Sequence, residues 1–367
     1  SGRHGASDSA GGEMSETVDP VALVGGTLGG RYLLTDLMHR GMDTIFAATD
    51  TTLDRAVVVK VVTRAPDASA DVQRAFQREA RALARLYGET VCRVLDYDVS
   101  GADDVAPGLP YLVMERVGGE PLAARLSREG PMTPHAAFGV IEAVGKALTE
   151  AHGEHVVHAD VRPANVFVER VGGRSPTIKL IDFEIALTDR RMGDRVEAHR
   201  ADPRFMAPEL STREEGRMDA RTDVYGLALL AWVLLAGRPP FEGDSPHRVL
   251  LGQLREKPPP LPGPADAPLA RALDVVLRQG LAKAPAERWA EVSSMVTAIS
   301  AAIYQSGDAA YRLLDPPTGG TPVEPAPAAP EAPPAARSRL PWVIGTLGLL
   351  AAAAGLVYWW VFVRASG

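Results

Sequence analysis

Apolar and polar residues alternate in several short runs of the first part of the chain. The runs RYLLTDL (residues 31–37), TIFAAT (44–49), AVVVKVV (56–62) and YLVMERV (111–117) are rich in β-branched and aromatic residues, which is typical of strands. Between the third run and the fourth, residues 71–86 place apolar side chains at helical spacing. These patterns predict a small sheet with one accompanying helix.

Helical spacing dominates the second part of the chain. Residues 134–152 and 223–235 give the longest helical patterns. A sheet-rich start followed by a helical remainder predicts an α+β fold, with a small sheet lobe joined to a larger helical lobe. We expect this folded unit to extend over residues 28–305, after a Ser-, Gly- and Asp-rich segment (1–27) for which we predict disorder.

The composition changes twice after this unit. Residues 306–340 are rich in Pro and Ala and predict an extended linker, because such a segment cannot bury a core. The run from 342 to 363 carries no charge, and at about 1.5 Å per residue it is about 33 Å long, enough to cross a bilayer. We therefore predict one transmembrane helix at residues 341–363, followed by a short extracytoplasmic tail (364–367).

The residues around and within that helix predict its orientation and contacts. Arg337 and Arg339 precede it and Arg364 follows it, so the positive charges predict that the folded unit faces the cytoplasm at the inner membrane. Gly348 and Ala352 lie about one helical turn apart, a spacing that lets two helices approach closely. This face is a candidate homodimer contact, although the same spacing also occurs in ordinary Ala- and Gly-rich spans.

Charge and cysteine content bear on the class of protein. The formal net charge is −7, which argues against a nucleic-acid partner. Cys92 is the single cysteine, so no disulfide framework or Cys-rich zinc site can form within the chain, and a reducing compartment is expected. Because Cys92 lies in the apolar stretch TVCRVL, we interpret it as a small core residue rather than a reactive thiol.

Five polar residues follow one another in an order that suits phosphoryl transfer. Lys60 lies in the third strand-like run, and Glu79 on the predicted helix offers it an opposite charge. Asp160, Asn165 and Asp182 each stand beside an apolar run. Phosphoryl transfer needs a cation on the phosphates, oxygen ligands for Mg²⁺ and a carboxylate near the attacking hydroxyl. Lys60 would supply the first and Asp160 the third, while Asn165 and Asp182 would hold the metal.

With these residues, the chain resembles the eukaryotic-type protein kinases, and most closely the bacterial membrane-bound Ser/Thr kinases. The matching motifs occur in the family's order, and they are RAVVVKVV, FQREARALARL, YLVMERV, HADVRPAN, DFE, MAPEL, DVYGLALL, LAGRPPF and AERW. The resemblance implies a bilobal kinase fold, ATP and Mg²⁺ as cofactors, and a protein substrate or binding partner.

The resemblance also implies roles for further residues. Lys60 and Glu79 match the ion pair at the ATP site, and Met114 matches the gatekeeper. The implied adenine pocket consists of Ile45, Val58, Met114, the backbone of Glu115 and Val117, and Phe167. The implied hydrophobic stack between the lobes consists of Leu83, Val94, His158 and Phe183. Glu209 and Arg288 match a buried ion pair of the helical lobe.

Several departures from the family pattern affect the nucleotide site. The segment MHRGMD places Met38, Arg40 and Asp43 at the three positions of the glycine-rich loop. Side chains there obstruct the approach of backbone N–H groups to phosphate, and Arg40 would partly offset the charge of Asp43. Val58 narrows the adenine slot where the family has alanine, and Glu184 replaces the glycine of DFG.

Other departures affect the activation segment. Ala159 replaces the arginine that receives an activation-loop phosphate, and residues 189–206 contain no Ser, Thr or Tyr. These two features predict that activation-loop phosphorylation does not switch this chain. Asp202 and Arg162 replace a threonine and a lysine beside the catalytic aspartate. They predict either an Asp202–Arg162 ion pair or a like-charge contact that raises the pKa of Asp160.

Three functions remain open at this point. The complete set of catalytic polar residues favours an active protein kinase, and the basic Arg162 favours Ser/Thr over Tyr as the acceptor. The departures favour a catalytically impaired pseudokinase that acts as a membrane-tethered binding module. A small-molecule kinase of the aminoglycoside type is the third, but the MAPEL segment and the following helix predict a platform for a protein substrate.

Overall fold

The computed structural model describes residues 19–40, 43–62, 77–78, 80–105, 107–169, 176–183, 202–211, 218–263 and 267–305. The predicted linker, transmembrane helix and tail lie outside these ranges, and so does the face with Gly348 and Ala352. Gly41, Glu79 and Glu184 also lie outside them. The helices within the described ranges include none with the length and apolar character that a bilayer span requires.

An antiparallel sheet of six strands forms the first lobe. Its strands are β1 (Thr27–Leu28), β2 (Tyr32–Arg40), β3 (Asp43–Asp50), β4 (Arg55–Val62), β5 (Val94–Val99) and β6 (Pro110–Glu115). Their spatial order is β1-β2-β3-β4-β6-β5. The four predicted runs correspond to β2, β3, β4 and β6. Strand β5 was not predicted, because the two aspartates in VLDYDV interrupt its apolar pattern.

The end of the segment for which we predicted disorder packs on this sheet instead. The Asp19 side chain accepts a hydrogen bond at the start of a 3-10 helix (Pro20–Leu23), and Leu23 is buried in the core of the lobe. The N–H of Gly25 donates to the carbonyl of Leu34 (2.8 Å), and the N–H of Leu34 donates to Gly26 (2.9 Å). The apolar run after Asp19 therefore has a partner surface, so the folded unit begins before residue 28.

Helices form most of the second lobe. They are α1 (Leu122–Glu129), α2 (Pro134–Gly153), α3 (Pro208–Ser211), α4 (Ala220–Ala236), α5 (Pro246–Arg255), α6 (Pro268–Gly280) and α7 (Val292–Gln305). A three-stranded antiparallel sheet joins β7 (Glu120–Pro121), β8 (Val166–Glu169) and β9 (Thr177–Leu180). Short 3-10 helices lie at Pro163–Asn165, Pro203–Phe205 and Pro285–Glu287.

Helix α4 runs through the centre of the helical lobe. It begins at Asp219, whose carboxylate accepts a hydrogen bond from the N–H of Arg221, and it ends at Gly237 with φ 73°. All residues from 222 to 236 are buried, as expected of a helix that is apolar on every side. Helices α2, α6 and α7 pack around it, and this rigid core carries the loop that holds the candidate catalytic residues.

Candidate active site

Lys60 faces the cleft because residues alternate along β4. Val57, Val59 and Val61 are fully buried in the core of the sheet lobe. Residues 58 and 60 therefore point to the opposite face of the sheet. There Lys60 lines a cavity with Met114 and Asp182 and is only 6% exposed. Strand β4 thus brings one buried ammonium group to the boundary between the lobes.

Asp182, which lies two residues after β9, is the partner of Lys60. Nζ of Lys60 lies 2.7 Å from Oδ1 of Asp182. Burial is the largest single effect and would raise the pKa of Asp182, but the charge and the hydrogen bond of Lys60, with smaller contributions from neighbouring charges, together hold the pKa below its ordinary value. The backbone of Asp182 is left-handed, with φ 60°, a conformation that the surrounding contacts must hold in place for a non-glycine residue. The carboxylate is therefore ionised and fixed in the cleft.

Asp160 and Asn165 are joined within one loop. Nδ2 of Asn165 donates to Oδ2 of Asp160 (2.8 Å) and to its backbone carbonyl (2.9 Å). Nε of Arg162 donates to the same Oδ2 at 3.0 Å. Burial raises the pKa of Asp160 above its ordinary value, and the charge of Arg162 opposes this rise. A carboxylate with a raised pKa is a better proton acceptor near neutral pH.

Two hydrogen bonds connect this loop to the neighbourhood of Asp182. The N–H of Ile181 donates to the carbonyl of Asn165 at 2.9 Å. Nε2 of His158 lies 3.0 Å from the carbonyl oxygen of Ile181. Because Ile181 directly precedes Asp182, the two carboxylates and the amide of Asn165 belong to one site. The structure thus brings together the four residues to which the sequence assigned the chemistry, while their roles stay predictions.

A buried carboxylate on α4 anchors the loop from the core side. Oδ2 and Oδ1 of Asp223 accept hydrogen bonds from the backbone N–H groups of His158 and Ala159, each at 2.8 Å. Oδ2 also lies 2.7 Å from Nε2 of His152. Ala159 has φ 63°, which costs about 1–2 kcal/mol for a residue with a Cβ, and the charge-assisted hydrogen bonds offset this strain. Sequence analysis did not assign Asp223 a role, although a charge in an otherwise apolar helix was a signal.

The hydrophobic contacts between the lobes follow the predicted stack. The rings of His158 and Phe183 lie 4.6 Å apart between centroids. Leu83 and Phe183 belong to the same buried cluster, and Val94 packs against it. Together with Leu86, Cys92 and Leu112, these apolar side chains line the cavity behind Lys60. The position of Asp182 is therefore coupled to packing across both lobes.

Comparison with known proteins places these residues in a family. The model of the protein kinase domain family matches residues 41–296, which is more than half of the chain. The chain belongs to the protein kinase family. Its sheet lobe, helical lobe and connecting cleft are those of a protein kinase domain, so the sequence-based expectation of this fold is confirmed.

Bacterial serine/threonine kinases are among the relatives of this kinase. Pkn1 of Myxococcus xanthus is 33% identical over 332 residues, which cover 88% of this chain and 45% of Pkn1. PknB of Mycobacterium tuberculosis is 35% identical over 272 residues, which cover 73% of this chain and 42% of PknB. The chain spans less than half the length of these two relatives. Among solved structures, the PknI kinase domain of Mycobacterium tuberculosis (C20A_R136A double mutant) has a TM-score of 0.58 and 29% identity, over 76% of this chain and 97% of that domain.

The donor atoms of this kinase fit the ATP and Mg²⁺ that the family generally uses. Asp182 offers a carboxylate, and Asn165 offers its amide oxygen because its nitrogen makes both hydrogen bonds to Asp160. Mg²⁺ prefers oxygen ligands and usually takes only one or two from the protein, with the rest from phosphates and water. Accordingly, three or more His, Cys, Asp or Glu side chains do not cluster as a metal site anywhere in the described ranges.

The predicted adenine-pocket residues lie on both lobes of the kinase, and three of them stand on adjacent strands of the first sheet. Ile45 pairs with Lys60 between β3 and β4, and Val58 pairs with Met114 between β4 and β6. Phe167 lies on β8 of the helical lobe. All four predicted side chains are half-buried, which suits walls of an open cleft. Val117, whose backbone was predicted to bind adenine, is half-buried just beyond β6.

An ion pair at the hinge, the segment at the end of β6 that connects the two lobes, was not predicted from sequence. Nζ of Lys179 lies 2.5 Å from Oε1 of Glu115. Burial would raise the pKa of Glu115, but the contact with Lys179 holds it below its ordinary value. The N–H of Glu115 donates to the carbonyl of Arg93 at 3.0 Å, and the carbonyl oxygen of Glu115 accepts a hydrogen bond from Sγ of Cys92 at 3.7 Å. The pair ties the hinge to β9, the strand that leads to Asp182.

Of the two contacts predicted for Asp202, the ion pair with Arg162 was a wrong prediction. The guanidinium of Arg204 lies 2.6–3.0 Å from the carboxylate of Asp202, while Arg162 pairs with Asp160. The local backbone explains the difference, because Asp202 caps the 3-10 helix Pro203–Phe205 and this tight turn places Arg204 beside its own cap. The raised pKa of Asp160 has burial as its main cause, not the predicted contact with Asp202.

Arg40 also has a partner that the sequence did not indicate. Its Nη2 lies 2.8 Å from Oδ1 of Asp19, and both side chains are largely exposed. The side chain of Asp43, the charge that Arg40 was expected to offset, lies outside the described residues. The hairpin that would cover the phosphates is thus linked to the N-terminal 3-10 helix (Pro20–Leu23).

The ion pair predicted for the helical lobe is present and buried. Nη1 and Nη2 of Arg288 lie 2.8 and 2.7 Å from the two carboxylate oxygens of Glu209. Burial would raise the pKa of Glu209, but its hydrogen bonds to Arg288 hold the pKa below its ordinary value. Cys92 is half-buried and lines the cavity behind Lys60, and burial raises the pKa of its thiol to about 12.

Proposed function

We propose that this chain is a membrane-anchored serine/threonine protein kinase, which transfers a phosphoryl group from ATP to a Ser or Thr hydroxyl of a protein. One observation carries the proposal. The Lys60–Asp182 contact of 2.7 Å and the Asp160–Asn165 contact of 2.8 Å lie in one site, joined through Ile181. This arrangement contains the cation, the oxygen ligands and the proton acceptor that the reaction needs.

Each residue has a distinct part in the proposed reaction. The ammonium of Lys60 attracts the phosphates and keeps Asp182 ionised. Bound Mg²⁺ would supply charge on the phosphate oxygens, with Asp182 and Asn165 as its protein ligands. Asp160 orients the acceptor hydroxyl and takes its proton, and its raised pKa suits that task. Arg162, hydrogen-bonded to Asp160, steadies the carboxylate that approaches the substrate.

Transfer of labelled phosphate tests this proposal. The wild-type chain should transfer label from [γ-³²P]ATP to itself or to a generic basic protein, and Asp160→Asn should lower the rate at least about a hundredfold. Asp219→Asn is the matched control, because its carboxylate caps α4 outside the site and Asn is also a good cap. Equal rates in the wild type and the Asp160 variant would contradict the proposal.

The alternative proposal, a pseudokinase that acts as a binding module, has one observation in its favour. Arg40 occupies a position where the family has glycine, and its guanidinium lies on Asp19. A side chain at that position hinders the contact between backbone and phosphate. Absence of phosphate transfer, together with no ATP- or Mg²⁺-dependent change in thermal stability, would select this alternative over the active enzyme.

We further propose that activity does not depend on activation-loop phosphorylation. Residues 189–206 offer no Ser, Thr or Tyr, and Ala159 cannot bind a phosphate there. Treatment of the purified chain with a protein phosphatase, followed by removal of the phosphatase, should leave the initial rate of transfer unchanged. A large loss of rate that returns after incubation with ATP would contradict this.

The membrane anchor and the homodimer are proposals from the sequence alone. The uncharged run at 342–363 supports an inner-membrane location with the kinase domain in the cytoplasm. The full chain should sediment with membranes, and a chain that ends at residue 340 should stay in the supernatant. Replacement of Gly348 and Ala352 by Leu should abolish self-association in detergent, and unchanged association would count against the homodimer.

A further inference from the structure

A buried polar network runs from the core of the helical lobe to the segment that closes the activation loop. Gln253 on α5 and Tyr225 on α4 are both fully buried. The hydroxyl of Tyr225 donates to Oε1 of Gln253 at 2.6 Å. Nζ of Lys283 in turn donates to the hydroxyl of Tyr225 at 3.3 Å and to the carbonyl of Gly252 at 3.2 Å. The hydroxyl of Tyr225 thus both donates and accepts, and it joins Lys283 to Gln253.

The amide nitrogen of Gln253 forms the other end of this network. Nε2 donates to the backbone carbonyls of Pro203 (3.2 Å) and Arg204 (2.7 Å). These two residues form the 3-10 helix that Asp202 caps. The side-chain oxygen of Gln253 thus accepts a hydrogen bond from the core, and both of its N–H groups donate to one loop. All of its hydrogen-bonding groups except the second lone pair of the oxygen therefore have partners.

The segment that Gln253 holds directly precedes the MAPEL motif and α3, where the family places its platform for protein substrates. In this chain the segment has no Ser, Thr or Tyr at residues 189–206 through which a phosphate could order it. It is held instead by the Asp202–Arg204 pair and by the buried amide of Gln253. The hydrogen bonds from the neutral amide of Gln253 do not depend on a covalent modification. They therefore hold the backbone of the segment in the same geometry at all times.

We propose that Gln253 is a positioning residue for the protein substrate, which fixes the backbone of residues 203–205 and thereby the surface on which the acceptor segment lies. This inference rests on the proposed kinase function. Among the contacts of the described residues, the side chain of Gln253 hydrogen-bonds to Tyr225, Pro203 and Arg204 and to none of Lys60, Asp160 or Asp182. Its effect should therefore fall on the protein substrate and not on ATP.

Two substitutions separate the hydrogen bonds of Gln253 from its volume. Gln253→Met keeps a similar shape without any polar atom. Gln253→Glu keeps an oxygen that can accept from Tyr225 but replaces the donor with an oxygen that faces the two carbonyls. Both variants should raise the KM for myelin basic protein, used as the probe, about tenfold. The KM for ATP should stay within about twofold, because the nucleotide residues are held by separate contacts. Gln279→Met, at an exposed position of α6, is the control for the loss of a glutamine side chain outside the network and should leave both values unchanged.

Amide hydrogen exchange keeps the test independent of catalysis. The exchange of the N–H groups in residues 204–211 should become faster in both Gln253 variants, while α4 keeps its protection. A smaller substitution, Tyr225→Phe, removes the hydroxyl that donates to Oε1 of Gln253 and accepts from Lys283. It leaves both hydrogen bonds from Gln253 to the segment in place and should give a smaller change in the same direction. This variant gives a reading even if the Gln253 variants fold poorly.

The outcomes distinguish this inference from the proposed kinase function. Unchanged KM for the protein probe in well-folded Gln253 variants would overturn the inference while the kinase function stands. Equal rises in the KM of both substrates would also overturn it, since they would indicate general destabilisation. A wild-type chain that transfers no phosphate would overturn the kinase function, and hydrogen exchange would then decide whether Gln253 orders the segment at all.

Discussion

The catalytic loop and the β2–β3 hairpin face the same cleft but are held in different ways. In the loop, the buried Asp223 accepts two backbone hydrogen bonds, and Asp160 is only 8% exposed. In the hairpin, the Arg40–Asp19 pair has side chains that are 61% and 60% exposed. Charge-assisted hydrogen bonds in a buried site contribute more than an exposed ion pair, which competes with water and salt. The loop is therefore fixed strongly and the hairpin weakly.

The two regions also differ in which family residues they keep, although the loop itself departs from the pattern at Ala159 and Arg162. The loop keeps the aspartate and the asparagine that the reaction needs. The hairpin carries Met38 and Arg40 at glycine positions, and both side chains are exposed. An exposed hairpin accommodates such side chains at little cost in stability, whereas a new side chain in the buried loop must fit closely packed surroundings. The effect of the hairpin substitutions should therefore appear in nucleotide binding and not in folding.

The largest effect is expected for the catalytic loop, which is the strongly held of the two regions. Asp223→Ala leaves the N–H groups of His158 and Ala159 buried without their acceptor, so the free energy of unfolding should fall by about 3 kcal/mol. Phosphate transfer should also be lost, because Ala159 then has nothing to hold its left-handed backbone. Urea denaturation and label transfer measure the two effects.

Asp219→Ala is the control for that substitution, because it removes a carboxylate from the same helix at its exposed cap and should cost only about 1 kcal/mol. Similar losses for the two variants would remove the distinction between a buried anchor and an ordinary cap.

An intermediate effect is expected in the pH dependence of the reaction. Activity should fall on the acid side as pH drops through the raised pKa of Asp160, because the protonated carboxyl cannot accept the substrate proton. Arg162 lowers that pKa, so Arg162→Met should move the acid limb of kcat/KM to higher pH. Arg162→Lys keeps the charge and should leave the limb close to its wild-type position. A shift of the Met variant to lower pH would contradict this assignment.

The smallest effect on stability is expected in the hairpin. Arg40→Gly removes an exposed ion pair, so the free energy of unfolding should change by less than about 1 kcal/mol. ATP binding should become several-fold tighter, because backbone N–H groups can then approach the phosphates. Isothermal titration with ATP and Mg²⁺ measures this change. Asp19→Asn breaks the same ion pair without opening the hairpin, and it serves as the control.

Much of the fold could be predicted from local pattern. The alternation in AVVVKVV follows the pleat of a strand, so it determined that Lys60 faces away from Val57, Val59 and Val61. Helix α4 was recognisable from the helical spacing of residues 223–235, and in the fold it is buried on all sides. Strand β5 was not predicted because Asp96 and Asp98 interrupt its apolar pattern, although in the sheet both pair with β6, Asp96 opposite Val113 and Asp98 opposite Tyr111.

The catalytic set of the candidate site was equally recognisable from sequence, but its supporting contacts were not. Asp160, Asn165 and Asp182 were singled out because of their residue types and their places next to strands. The anchor Asp223 has no such local signal for its partners, since His158 and Ala159 lie more than 60 residues away in the chain. Which buried group satisfies a given backbone N–H depends on how the helices pack.

The sequence by itself determined the two lobes, the side of β4 on which Lys60 stands, and the order of the residues that act on phosphate. Those features follow from periodicity and residue chemistry, which each segment carries locally. Only the tertiary structure decided that Arg162 pairs with Asp160, that Asp202 pairs with Arg204, and that Lys179 reaches Glu115. Long charged side chains reach several carboxylates, and the backbone geometry of the folded chain selects one of them.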